Sequence, residues 1–320
     1  MTLKKWKEFY IKKEFYIYCF FSTIIISFLL IESNVYRPDA GLYHLPFINI
    51  LNEEKIIFGL SNLHFRYAHT SILQHTSAIF NNYILGVNGI VLPSALLASA
   101  VFINFTSRII NLINLKQYNF ELIFLILIQI FIFFKINRYS EFGNDAPAHL
   151  LFFYLISKII ENKFSNNEIL NLSLLILFII QNKIILICSL LFIPLIVKKN
   201  QILELLKNPK FYFITLFFLV WIMKNIAISG CAIFPVTLTC YDGFSWSNKN
   251  LSQSVSIENE AWSKGWPDYR NKLADETLRT CVTGDSTVLP YCAATLNCKK
   301  FLYTGICAIA SNGPFKFVTV

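Results

Sequence analysis

The chain has 320 residues, of which 55% are hydrophobic and only 15% charged, where soluble domains run at about 45–50% apolar and 25% charged. Mean hydropathy is +0.52 and the apolar residues fall in long uncharged runs, which excludes a single soluble core for most of the chain. The net charge of +9 would suit a nucleic-acid partner, but Lys and Arg cluster at the ends of apolar runs, so no nucleic-acid partner is expected.

The expected fold class is an all-α polytopic membrane protein. Seven spans are predicted, near 15–31, 83–106, 119–136, 147–161, 168–181, 184–197 and 211–228. The first run is long enough to span and no small-residue cleavage site follows it, so it reads as a retained helix. Residues 168–197 read either as two helices or as one long helix with Gln181, Asn182 and Lys183 in its middle. Lys4, Lys5, Lys7, Lys12 and Lys13 place the N-terminus in the cytoplasm. Two helices, joined by a tight turn at Gln181–Lys183, put Lys198, Lys199, Lys207 and Lys210 on that same side. The outer face then receives the loop 32–82, the loop 137–146 and everything from 229 onward.

The first outer loop opens with RPDAGLYH, residues 37–44. Its Asp39 has two readings: a turn or N-cap aspartate between Pro38 and Gly41, or a general base at the bilayer surface. LPFINIL suits a short interfacial helix with Pro46 in its first turn. GLSNLHFRYAHTSILQH carries His64, His69 and His75 at spacings of five and six, a poor match to a helical metal pair. Arg66 in that stretch is a phosphate-binding candidate or an interface anchor, and His44 is a supporting candidate.

The second outer loop, within KINRYSEFGNDAPAHLL, packs Lys135, Arg138, Glu141, Asp145 and His149 between two spans. Asp145, two residues before Pro147, also suits a helix start. Lys135 and Arg138 on the outer side run against the positive-inside trend and point to an anion. Beyond the last span, SGCAIFPVTLTCYDGFSWS places Cys231 and Cys240 nine apart, a disulfide candidate on the outer side. Trp246, Trp262 and Trp266 either seat this segment at the interface or stack on sugar rings.

These readings divide the chain into a helical bundle over 1–228 and an extracytoplasmic segment over 229–320. From about residue 274 the composition turns to Thr, Ala and Cys, which reads as a small lobe, a shifted frame or a truncated gene product. Its Cys281, Cys292, Cys298 and Cys307 contain no CxxC pair, so zinc is not expected.

The phrases PDAGLYH, GLSNLHFRYAHTS, YSEFGNDAPAHLL and SGCAIFPVTLTC resemble a group of bacterial membrane proteins from surface-polysaccharide gene clusters. That group is similar in layout to the GT-C glycosyltransferases, which carry an acidic residue just past the first helix and use polyprenyl-phosphate sugars. The resemblance covers roughly residues 30–271. It implies Asp39 as base or metal-facing carboxylate, with Glu141 and Asp145 as second-loop acids. It also implies an inner-membrane enzyme of polysaccharide biosynthesis, with a lipid-linked sugar, membrane lipid and other assembly proteins as partners. No cofactor is expected, and a divalent metal is left open. A polysaccharide polymerase or ligase, a transporter or flippase, and a non-catalytic scaffold of the same pathway are the alternatives.

Overall fold

The computed structural model describes residues 13–32, 39–54, 56–69, 71–139, 142–143, 145–162 and 164–265. The described residues are helical with no strand. Among the described residues three helices are long and apolar enough to cross a membrane, Phe15–Glu32, Gly86–Asn114 and Pro209–Ser229. The protein is therefore an all-α membrane protein; among the described residues a bent pair, Ile184–Ile196 with Lys199–Lys207 at 90°, passes the same length and apolarity test when taken together, and Phe120–Phe134 is a shorter apolar helix. The chain divides into two compact units, one of residues 1–55 and 69–221, the other of 56–68 and 222–320. The sequence-based division at 228 kept 56–68 with the bundle.

In the first unit, α1 (Lys13–Glu32) packs along the helix that will be called α4 (Leu92–Asn114). Ala95 and Ala98 are buried there in one cluster with Ile26 and Leu30. Small residues at such a contact let two backbones approach closely. Between these helices in sequence lie α2 (Leu45–Glu53) and α3 (Ile72–Phe80), packed on each other. A 3₁₀ turn, Gly86–Val91, leads into α4. Gly89 is obligatory in it, because a Cβ there would lie 2.0 Å from the Phe80 carbonyl oxygen.

Next come α5 (Phe120–Phe134), a single turn α6 (Ile136–Tyr139) and α7 (Asp145–Glu161). The 15 residues of α5 rise about 22 Å, short of a hydrocarbon core of about 30 Å. Arg108 of α4 is buried, at 5% exposure, where these helices meet. It donates to the Ser157 hydroxyl (2.9 Å) and carbonyl (3.1 Å), pairs with Glu121, and lies 3.5 Å from Glu161. Glu161 also holds Lys158 at 2.8 Å. Two cations thus face two carboxylates, which is the condition for burying charge at tolerable cost.

The chain continues as α8 (Asn166–Asn182), opened by a capping box between Ser165 and Glu168. The α-helix stops at Asn182, and Lys183 is extended (φ −150°, ψ 103°). The expected second helix over 184–197 is instead a 3₁₀ stretch, Ile184–Phe192, followed by the short α9 (Ile193–Ile196). Pro194 sits in the first turn of α9, where its missing N–H costs nothing. After α10 (Ile202–Lys207) comes α11 (Pro209–Ser229).

The second unit is built on the turn after α11. Cys231 and Cys240 form a disulfide bond. Ala232 N–H donates to Thr239 O (3.0 Å) and Tyr241 N–H to Gly230 O (3.0 Å), closing the loop between them. Gly230 has φ +75°, and a Cβ there would meet the Ser247 hydroxyl at 2.3 Å. Residues 56–68 are pinned to this segment by Trp246. Its indole N–H donates to Ile226 O (3.0 Å), and its own carbonyl accepts from the Asn62 amide (2.8 Å). Its ring lies against Phe58 and stacks on Phe244. Phe65 and Leu251 close over Cys231, Phe234 and Val255, beside α12 (Lys249–Lys264). The Trp262 side chain, Trp266 and the tail from 274 lie outside the described residues.

Candidate functional site

The RPDAGLYH stretch becomes a π-helical turn, Ala40–His44, that runs directly into α2. Asp39 opens the turn in αR conformation (φ −64°, ψ −29°) with no side-chain cap hydrogen bond, and its side chain is exposed. The capping role that the sequence offered is therefore not the one it plays here. His44, at the other end of the turn, is buried, with its ring 4.1 Å from that of Tyr43. The Gln74 amide donates to His44 Nδ1 (2.7 Å).

Gln74 links this histidine to the middle of the bundle. Its carbonyl oxygen accepts from the Ser71 backbone N–H (3.2 Å), as part of the capping box that opens α3. The Ser71 hydroxyl in turn donates to the Asn182 side chain, at the last residue of α8. A polar line, His44–Gln74–Ser71–Asn182, thus runs through three segments of the first unit. Beside it, Gln181 is buried at 2% exposure, and neither of its amide atoms has a partner among the described residues. A buried amide without partners costs free energy, so a polar group of a ligand or a water is favoured there.

Lys183, the extended residue after Asn182, makes an ion pair with Asp145 in the first turn of α7. A carboxylate at a helix N-terminus gains from the helix dipole as well as from the lysine. Tyr139 is buried near it; burial first, and then the Asp145 charge, push its hydroxyl up to about 12, so it stays a protonated donor. The Tyr139 ring lies edge-on to that of His149, one helical turn beyond Asp145 (centroids 6.2 Å apart). The arrangement offers an ionised carboxylate, an ammonium, a phenol and an imidazole within one end of the first unit.

The family described as a domain of unknown function (DUF8201) matches residues 2–287. The chain belongs to the DUF8201 family. No curated protein and no solved structure matches it.

In this DUF8201 chain, His44, Asp145 and His149 fall in the first unit, with Asp39 on the same turn as His44. Lys135 is exposed at the C-terminal end of α5. Glu141 and the Arg138 side chain lie outside the described residues. Arg66 belongs to the second unit, half-buried, with its guanidinium 5.3 Å above the Phe65 ring. Among the described residues no group of three or more His, Cys, Asp or Glu is placed to hold a metal ion. Sequence reasoning missed Ser71, Gln74, Asn182 and Arg108. Two of these left a signal: Ser71-x-x-Gln74 is a capping-box pattern, and Arg108 is a lone charge at the end of an apolar run.

Proposed function

We propose that this chain is a membrane glycosyltransferase of GT-C-like layout. It moves a sugar from a polyprenyl-phosphate donor to an acceptor hydroxyl on the outer face of a bacterial inner membrane, in surface-polysaccharide biosynthesis. In this reading the N-terminus is cytoplasmic and the chain crosses the bilayer seven times, with α5, α7, α8 and the 184–196 stretch as short crossings. The observation that carries it is the built carboxylate site, in which Asp145 is held by Lys183 beside Tyr139 and His149. Intramembrane or near-membrane ionisable groups are costly and are kept mainly for chemistry or transport.

The step is a displacement at the anomeric carbon. The acceptor oxygen bonds to that carbon while the bond to the donor phosphate breaks, and polyprenyl phosphate leaves with the electron pair. Asp39, exposed and without a cap bond, takes the acceptor proton. Lys135 and Arg138 meet the phosphate charge as it leaves. Asp145 and Lys183 orient the sugar hydroxyls, with the Tyr139 phenol as a further donor. The test is sugar transfer from a synthetic polyprenyl-phosphate sugar by purified protein. Asp39→Asn is expected to abolish transfer while membrane insertion stays intact, and full activity in that variant would sink the assignment.

One observation favours a second reading, translocation of the lipid-linked sugar. The Lys183–Asp145 pair sits where α8 breaks into extended backbone, and broken helices with ionisable residues line transport paths. A proteoliposome flipping assay separates the two. A transporter loses movement in Asp145→Asn but keeps it in Asp39→Asn.

A further inference from the structure

A groove of about 720 Å³ lies between α7, α8 and α11. Along α8 its wall is Asn171, Leu174, Leu175 and Phe178, spaced three and four apart, which is one helical stripe. Leu151 and Tyr154 of α7 and Phe213 and Phe217 of α11 form the other sides. Lys158, Glu168 and Asn171 gather at one end, so the groove is apolar along its length and charged at one mouth. From Lys158 to Leu151 it runs for seven residues, about 10 Å of helix.

That mouth carries the ammonium groups of Lys158 and Lys210 beside the carboxylate of Glu168. Lys210 donates to the Asn171 side chain at 3.5 Å, so its ammonium reaches the groove end from α11. Glu168 is engaged there, accepting the Ser165 backbone N–H at 2.7 Å. The Glu161 carboxylate is shared between Lys158 and Arg108. In sequence, Lys210 closes a basic stretch, residues 198–210, that holds Lys198, Lys199 and Lys207 against the single acid Glu204. The α11 wall belongs to a helix apolar enough to cross a membrane, and its Phe213 and Leu216 are exposed. The groove therefore opens where acyl chains are the surrounding medium, and its charged mouth stands at one end of that span.

We propose that this groove seats one acyl chain of an anionic membrane phospholipid, with the lipid phosphate beside Lys158 and Lys210. The binding is independent of the sugar-transfer reading: the occupant is a phospholipid of the bilayer, and neither Asp39 nor Asp145 takes part.

The test uses full-length protein purified in mild detergent, with bound lipid identified by native mass spectrometry and then by extraction. The wild type is expected to retain an anionic phospholipid after exchange into lipid-free detergent, and to rebind phosphatidylglycerol from mixed micelles in preference to phosphatidylcholine. Leu175→Trp, which fills the groove with an apolar side chain, is expected to remove the bound lipid without loss of folded protein. Lys210→Glu is expected to weaken phosphatidylglycerol rebinding by about fivefold or more. Leu219→Trp, on an exposed face of α11 outside the groove, is expected to keep it. The proposal is overturned if Leu175→Trp and Leu219→Trp retain lipid equally, if the two phospholipids rebind equally, or if the retained mass is a polyprenyl phosphate.

Discussion

Lys183 and Asp145, 38 residues apart, form an ion pair between the end of one helix and the start of another. The lysine is the first residue after α8 and the aspartate opens α7, and both are mostly shielded, at 29% and 21% exposure. This pair joins the end of α8 to the start of α7 beside Tyr139, whose ring faces His149.

Breaking it leaves an uncompensated charge in a partly buried place. Asp145→Asn is expected to cost about 1–2 kcal/mol in thermal unfolding, below the range for fully buried pairs because water still reaches both groups. The double variant with Lys183→Met is expected to recover most of that loss. Lys183→Met alone completes the cycle, and a double-variant loss equal to the sum of the two single losses would show that the pair carries no coupling.

Asp39 behaves oppositely. It is exposed and makes no cap hydrogen bond, so Asp39→Asn is expected to shift stability by no more than about 0.5 kcal/mol. Its effect on sugar transfer is expected to be total. A large fall in the unfolding temperature of this variant would assign it a structural part instead.

Arg108→Ala removes the centre of a four-residue charge network and strands Glu121 and Glu161. The expected loss is about 3–5 kcal/mol, seen as poor yield of folded protein in detergent. Arg108→Lys keeps the charge but cannot reach the hydroxyl and carbonyl of Ser157 and a carboxylate together, so it is expected to restore yield only in part.

The disulfide is open to direct chemistry. Alkylation of folded protein is expected to label Cys188, which is exposed, and to leave Cys231 and Cys240 unmodified until a reductant is added. Labelling of either without reduction would refute the bond. Cys231→Ser with Cys240→Ser is expected to destabilise the second unit by about 2 kcal/mol.

His64 supplies a pH dependence. It is buried, and burial first, then the nearby Arg66 charge, lower its pKa from the ordinary 6.5. Its Nδ1 accepts the Arg66 backbone N–H at 3.2 Å, a bond that protonation there would end. Between the lowered folded value and about 6.5 the unfolded chain binds more protons, so stability rises with pH. The contribution is complete above about 6.5 and is lost as pH falls through the folded value. His64→Phe, which keeps a ring against Phe65, is expected to flatten the unfolding temperature over this window. An unchanged slope would exclude His64 as its source.

Local signals carried the sequence analysis as far as such signals reach. The apolar runs near 15–31 and 211–228 are the helices Lys13–Glu32 and Pro209–Ser229, because length and apolarity alone decide a span. The polar triplet Gln181–Lys183 does interrupt a helix, and Asp145 with Pro147 does open one. The 3₁₀ stretch after Lys183 was not legible, since periods of 3.0 and 3.6 look alike in a run as uniformly apolar as IILICSLLF. Tertiary partners were legible least. His44 meets Gln74 across 30 residues and Arg108 meets Ser157 across 49, and no local pattern announces either pairing. The sequence places Lys183 in a turn or within one long helix and says nothing of Asp145, because that partner is supplied by packing.

The Arg108 network also bears on how the protein is made. An unneutralised arginine hinders entry of its helix into the bilayer, at a cost of about 2.5 kcal/mol or more at the helix centre and less towards the ends, where Arg108 lies. The carboxylates that neutralise it, Glu121 and Glu161, are synthesised 13 and 53 residues later. The segment 92–161 is thus expected to leave the insertion machinery as one cohort, α4 waiting for α5 and α7. Nascent chains truncated before Glu121 should show α4 incompletely inserted by glycosylation mapping, and chains extending past Glu161 should show it fully inserted.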